Sequence, residues 1–127
     1  KNPTTAKKRF RVISMCDNLS LLTAWANDVS FDTVFAEQLK GLARPGDVLL
    51  VITGSGNSPN ILRALETAQE VGMKTLGWLG FDGGKALSLC DRSILVRTHD
   101  YGLVESAHAV LTHLITSWLM GCRGGEP

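Results

Sequence analysis

Short apolar runs alternate with longer amphipathic ones along most of the chain. Residues 10–15, 48–53, 75–79 and 93–98 are brief, apolar and β-branched, the pattern of strands buried in a parallel sheet. Between them the periodicity is helical. Residues 21–26 predict a short helix, and 31–42 a longer one capped by Ser30 or Asp32. Ile61, Leu65 and Ala68 share one face of a further helix, which Gly72 stops. Over residues 103–120, Val104, Ala107, Leu111, Leu114 and Trp118 form a long apolar stripe closed by Gly121. Such a stripe suits packing against the same helix of another copy. The alternation predicts an α/β fold: a three-layer α/β/α open parallel sheet with four strands in this chain and helices on both faces. One domain is expected over residues 10–120, between a polar tail at 1–9 and a disordered tail at 121–127.

Open parallel sheets bind ligands beyond the carboxyl ends of their strands. That rule places three segments together: Asn27-Asp28, residues 54–58 and residues 80–85. The second carries the clearest chemistry. Gly54-Ser55-Gly56-Asn57-Ser58-Pro59 follows the apolar run directly, with Ser58 as helix cap and Pro59 as first helical residue. Bare amides, hydroxyls and a helix N-terminus suit a phosphate. The loop lacks the Gly-Lys-Ser/Thr of a P-loop and the third glycine of the dinucleotide fingerprint, so a phosphate monoester fits better than a triphosphate. The alternative is an ordinary strand-to-helix turn.

Composition narrows the classes. The 127 residues carry a formal net charge of +1, which gives no nucleic-acid footprint. Lys7-Lys8-Arg9 and Arg11 read as a solvated tail entering the first strand. No apolar run approaches a membrane span, and the opening Lys1-Asn2-Pro3-Thr4-Thr5 is not a signal peptide. Cys16, Cys90 and Cys122 are odd in number and far apart. They predict reduced thiols in a cytoplasmic protein, with Cys16 and Cys90 buried.

Trp25-Ala26-Asn27-Asp28, Arg44-Pro45-Gly46-Asp47, Gly54-Ser55-Gly56-Asn57-Ser58 and Asp82-Gly83-Gly84-Lys85 occur in that order, followed by Glu105 and His113. In these motifs the chain resembles the sugar isomerase (SIS) domain, a flavodoxin-like fold. Within that family it is similar to the phosphoheptose isomerases, which interconvert sedoheptulose 7-phosphate and heptose 7-phosphate. The resemblance implies that Thr53, Ser55 and Ser58 hold the sugar phosphate, with Gly54 offering its amide. It implies that Asn27 and Asp28 face the sugar hydroxyls. It also matches Glu105 and His113 to substrate-contacting zinc ligands, His113 being the general acid as well. Two departures are visible: Gly54 stands where the family commonly has a hydroxylated residue, and Glu105 where it has glutamine. The resemblance further implies an upstream helix, a central first strand with its own glycine–serine loop, and a helix bearing a histidine and the glutamate base. None of these is in the sequence, so the chain is expected to be the C-terminal portion of the family's domain. Its apolar sheet edge would then depend on a partner segment. Dimers or tetramers with shared sites are common in the family, so a homo-oligomer is expected.

Aldose–ketose isomerisation needs a base for the proton beside the carbonyl, and an acid or metal to polarise that carbonyl. His113 suits the acid role because its ordinary pKa lies near neutrality. Asp28 is the nearest substitute base, by loop position only. Glu105 and His113 stand eight residues apart, about 12 Å along an ideal helix. One zinc ion could take both only from an irregular helix or from two subunits. Glu105 and His108 are better spaced, but two ligands make a weak site. By itself His113 also reads as a packing histidine bonded to a backbone carbonyl, and His99 and His108 read as surface or packing residues. Asp82-Gly83-Gly84-Lys85 reads as a turn supporting the rim. The expected function is an intramolecular aldose–ketose isomerase acting on a sugar phosphate. The alternative is a non-catalytic module of the same fold that binds a sugar phosphate or a protein partner.

Overall fold

The computed structural model describes residues 10–121. The tail expected over residues 1–9, with its Lys7-Lys8-Arg9 cluster, Cys122 and the residues after it lie outside the described residues. The elements run α1 (Leu19–Asp28), a 3-10 turn (Phe31–Thr33), α2 (Val34–Leu42), β1 (Val48–Thr53), α3 (Pro59–Val71), β2 (Lys74–Gly80), α4 (Ala86–Leu89), β3 (Arg92–Val96) and α5 (Tyr101–Gly121). Ser30 caps the 3-10 turn by accepting from the Asp32 N–H. Gly72 ends α3 in the left-handed region at φ 84°, its N–H bonded to the Ala68 and Gln69 carbonyls. Gly121 is the last residue of α5, not the first beyond it.

The sheet is parallel, ordered β1-β2-β3, and its register runs from Val48↔Lys74 to Thr53↔Leu79 and from Leu76↔Arg92 to Gly80↔Val96. It has three strands among the described residues, where the sequence predicts four. Residues 10–14 are irregular, and Met15 and Cys16 lie in a turn. The physical reason is that an alternating apolar pattern becomes a strand only where a neighbouring strand completes its hydrogen-bond ladder. Here β1 is an edge, and the first predicted strand has no place in the sheet. Val12 is left 85% exposed. Instead, the Met15 carbonyl accepts from Gln38 Nε2 of α2 at 3.1 Å. Cys16, expected to be buried, is exposed for the same reason.

One face of the sheet is covered and holds the core. Val51 and Leu79 meet Leu65 of α3 and Ala86 of α4, while Leu39 of α2 packs on Ala64, Ala68 and Met73. Leu65 and Leu79 are completely buried, which is worth about 2 kcal/mol for each side chain. The other face is covered only near the strand ends. There α5 seats Val104 and His108, whereas Leu50, Ile52, Leu76 and Ile94 stay partly exposed. Past His108 the helix leaves the sheet, so Leu114 and Trp118 of the predicted stripe are at least 60% exposed.

Asp91 joins β2 to the segment entering β3. Its Oδ2 accepts from the Thr75 N–H at 2.8 Å and the Thr75 hydroxyl at 3.2 Å, and its own N–H donates to Thr75 Oγ1 at 2.9 Å. The Thr75 backbone bond holds the Asp91 carboxyl below the ordinary carboxylate range, against a smaller desolvation effect. The Thr75 hydroxyl, Lys74 and Arg92 add to the lowering. A lowered folded-state pKa contributes stability above the ordinary carboxylate pKa, and that stability is lost as pH falls through the lowered value. Thermal melts across that acidic window should therefore fall less steeply in Asp91→Asn than in the parent. An unchanged slope would assign acid sensitivity to other groups.

Candidate functional site

The parallel register ends β1 and β2 at one level, so the loops that follow them meet. Thr53, at the end of β1, is 9% exposed, and its Oγ1 accepts from the Gly56 N–H at 3.2 Å. Ser55 Oγ accepts from the Asn57 N–H at 3.3 Å. Asn57 then clamps both loops: its Nδ2 donates to the Ser55 carbonyl, and its Oδ1 accepts from the Lys85 N–H, both at 3.1 Å. The Gly56 carbonyl accepts from the Ala86 N–H at 3.0 Å. Gly56 has φ +65°, and a Cβ there would collide with the Gly83 carbonyl. Asp82 closes the facing turn by accepting from the Gly84 N–H at 3.0 Å. Asp82-Gly83-Gly84-Lys85 is thus the buttress of the glycine loop.

Ser58 occupies the cap position of α3 and Pro59 the first turn, but the Ser58 hydroxyl makes no capping bond. The first-turn N–H of Ile61 is met by the Ser58 carbonyl and by Asn60 Oδ1. The Ser58 hydroxyl and the N–H groups of Ser55 and Ser58 therefore have no protein partner among the described residues. Unpaired donors around a helix N-terminus are what a phosphate requires.

The other sequence-selected residues lie farther from this loop in the hydrogen-bond network. Asn27 and Asp28 are exposed at the end of α1, which packs on α2 and the 3-10 turn, and no hydrogen bond ties either to residues 54–58. Glu105 and His113 are exposed on α5. The histidine bonded to a carbonyl is His108, whose Nε2 lies 3.4 Å from the Leu79 oxygen and whose ring tilts against Trp78. Glu105 and His113 share one uninterrupted helix, which separates them by about 12 Å. Among the described residues no three His, Cys, Asp or Glu side chains are placed to hold a metal. Among the described residues, the donors of a single copy therefore do not fit a zinc ion.

Nothing in the sequence pattern pointed to the residues flanking the loop on the β3 side. Tyr101, the first residue of α5, lies against Gly54, and a Cβ on Gly54 would stand 2.7 Å from Tyr101 Cε1. Phe81 packs edge-to-face on Tyr101 at 4.7 Å and against His99 at 5.0 Å. Phe81 has φ +53°, a conformation that costs a bulky residue on the order of 1–2 kcal/mol. Apolar periodicity carries no trace of this backbone, because it reports burial and not dihedral angle.

Gly56→Ala should destabilise the fold by at least about 2 kcal/mol, because both φ and the Gly83 carbonyl oppose a Cβ. Asn57→Ala should cost about 1–2 kcal/mol through two lost bonds, one within the glycine loop to the Ser55 carbonyl and one across to the Lys85 N–H. Urea unfolding of both variants checks the order; an Asn57 variant as damaged as the Gly56 variant would show that the clamp is more than two hydrogen bonds.

A SIS-domain family profile matches residues 11–80. Among curated relatives, the phosphoheptose isomerase of Pelobacter propionicus is 42% identical over 86% of this chain and 58% of its own length. That of Trichlorobacter lovleyi is 37% identical over 93% of this chain and 66% of its own length. The chain thus spans about three fifths of the relatives it matches. Among solved structures, phosphoheptose isomerase from Neisseria gonorrhoeae superposes with a TM-score of 0.84 at 33% identity, covering 86% of this chain and 61% of that one. The enzyme from Francisella tularensis gives 0.78 at 31% identity, covering 80% and 55%. A glycine–serine loop locked onto a parallel sheet edge, a profile match across more than half the chain and the same backbone in solved relatives lead to one conclusion: the chain belongs to the SIS-domain family.

Proposed function

We propose that the protein is a phosphosugar isomerase of the phosphoheptose type, converting sedoheptulose 7-phosphate to heptose 7-phosphate. The observation that carries this reading is the 54–58 loop, whose free hydroxyl and amides stand at the N-terminus of α3. The names of the relatives, phosphoheptose isomerase in each case, support the same substrate class.

In this reading the phosphate sits on Ser55 and Ser58, with Thr53 shaping the loop through its bond to Gly56. Gly54 contributes its amide only. Asn27 and Asp28 take the sugar hydroxyls. Isomerisation then moves one proton from the carbon beside the carbonyl to its neighbour, while a second proton shifts between the two oxygens. His113 is assigned as the acid that serves the oxygens. The resemblance puts the glutamate base in a segment that this sequence does not contain, and Asp28 is the nearest carboxylate here.

A homo-oligomer, dimer or tetramer, is part of the proposal. The uncovered stripe of Leu114 and Trp118 on α5 and the open sheet face support it. In an oligomer, Glu105 of one copy and His113 of another could hold zinc, which would supply carbonyl polarisation when bound. A cytoplasmic setting fits the free thiols of Cys16 and Cys90, the latter with its pKa raised by burial and by the Asp91 charge. No helix among the described residues is long and apolar enough to cross a membrane.

The Ser55→Ala/Ser58→Ala variant should bind sedoheptulose 7-phosphate at least tenfold more weakly by calorimetry; unchanged affinity would remove the phosphate assignment. With the full gene product in heavy water, NMR should detect deuterium entering the sugar next to the carbonyl. His113→Ala should abolish that exchange while keeping most of the binding. Binding without exchange in the parent protein would favour a sugar-phosphate sensor over an enzyme.

A further inference from the structure

Three rings from the segments that follow β2 and β3 meet at the carboxyl ends of the strands, beside the glycine loop. Phe81 follows β2, and His99 and Tyr101 follow β3. The Phe81 N–H donates to the Thr98 carbonyl at 3.2 Å, which ties the two segments together. The Phe81 ring contacts both others, tilted against His99 at 5.0 Å and edge-to-face with Tyr101 at 4.7 Å. This cluster holds the Tyr101 ring against Gly54, at the point where the chain leaves β1.

Packing alone does not account for Tyr101. It is the one tyrosine in the sequence, it is 55% exposed, and its phenol hydroxyl has no protein partner among the described residues. An aromatic ring held by a neighbouring ring, more than half exposed and with a free hydroxyl, offers apolar surface and one polar handle. A carbohydrate offers the complement, C–H bonds on one side of its carbon chain and hydroxyls along it. The position agrees, since ligands of open parallel sheets lie beyond the strand ends.

We infer that Tyr101, braced by Phe81 and His99, is a specificity-determining wall of the sugar-phosphate site. Its ring packs on the carbon chain of a substrate whose phosphate rests on Ser55 and Ser58, and its hydroxyl bonds a sugar hydroxyl. Gly54 is the matched partner, because any side chain there would displace the ring. This inference rests on the phosphosugar reading above and adds an aromatic contact to the sugar's carbon chain, beside the hydroxyl contacts proposed for Asn27 and Asp28.

The test is calorimetric titration of the full gene product and its Tyr101→Phe and Tyr101→Ala variants, with inorganic phosphate and with sedoheptulose 7-phosphate. Tyr101→Ala should weaken the sugar phosphate about tenfold and Tyr101→Phe about threefold. Inorganic phosphate should change less than twofold in either. Equal weakening of both ligands would make Tyr101 a support of the loop and overturn the inference, as would an unchanged sugar-phosphate affinity. If the parent protein binds neither ligand, the phosphosugar reading fails and the wall with it. Thermal melts separate folding from binding. Gly54→Ala should lower the melting temperature in the parent and much less in the Tyr101→Ala background; equal lowering in both would show that the ring is not set by Gly54.

Discussion

The parallel pairing of β1 with β2 is the constraint on which the rest of the molecule depends. Its last pair is Thr53↔Leu79, at the end of β1 and one residue before the end of β2, so the following loops leave the sheet side by side. Only then can Gly56 approach Gly83 closely, and only then can Asn57 reach across to Lys85. A shift of one residue would also turn Val51 and Leu79 out of the core that α3 and α4 cover. Core packing and site geometry therefore share one register, and neither can be altered without the other.

Within the loop, polar groups divide their roles by burial. Thr53 is buried, and its oxygen holds the Gly56 amide. Ser55 and Asn57 are occupied with each other's backbone. Ser58, which as a helix cap would ordinarily bond the first turn, leaves that work to Asn60 and to its own carbonyl. The hydroxyl released in this way is the polar group a ligand can use without breaking any internal bond. On the β3 side the wall is apolar, made by Phe81 and Tyr101, so the loop lies between a polar floor and an aromatic flank.

The covered and uncovered faces of the sheet tell a complementary story. Helices α3 and α4 bury one side, while α5 meets the other near the end of β2, through His108 at Trp78 and the Leu79 carbonyl and through Val104 at Gly80. Leu50, Ile52, Leu76 and Ile94 remain in contact with water. Parallel sheets are ordinarily covered on both faces, and the chain matches only about three fifths of the length of its relatives.

The alternation of apolar runs and helical periods determined, by sequence alone, the parallel α/β class, three of the four predicted strands and the long helices, though not the short α4 between β2 and β3, because each pattern reports which faces of an element are buried. It also located the glycine–serine loop, since Gly-Ser-Gly-Asn-Ser-Pro after a strand carries its own turn and cap chemistry. Residues 10–15 show where that logic stops: their pattern is a strand's, but strand formation needs a neighbour's hydrogen bonds, and the sheet supplies none. The fate of Cys16 and of the far half of α5 was equally invisible, since exposure depends on what packs above. Only the tertiary structure decided that Asn57 clamps two loops, that the Ser58 hydroxyl is free, and that Tyr101 lies on Gly54. Each of these is a contact between residues remote in the chain or a dihedral angle, and local composition encodes neither.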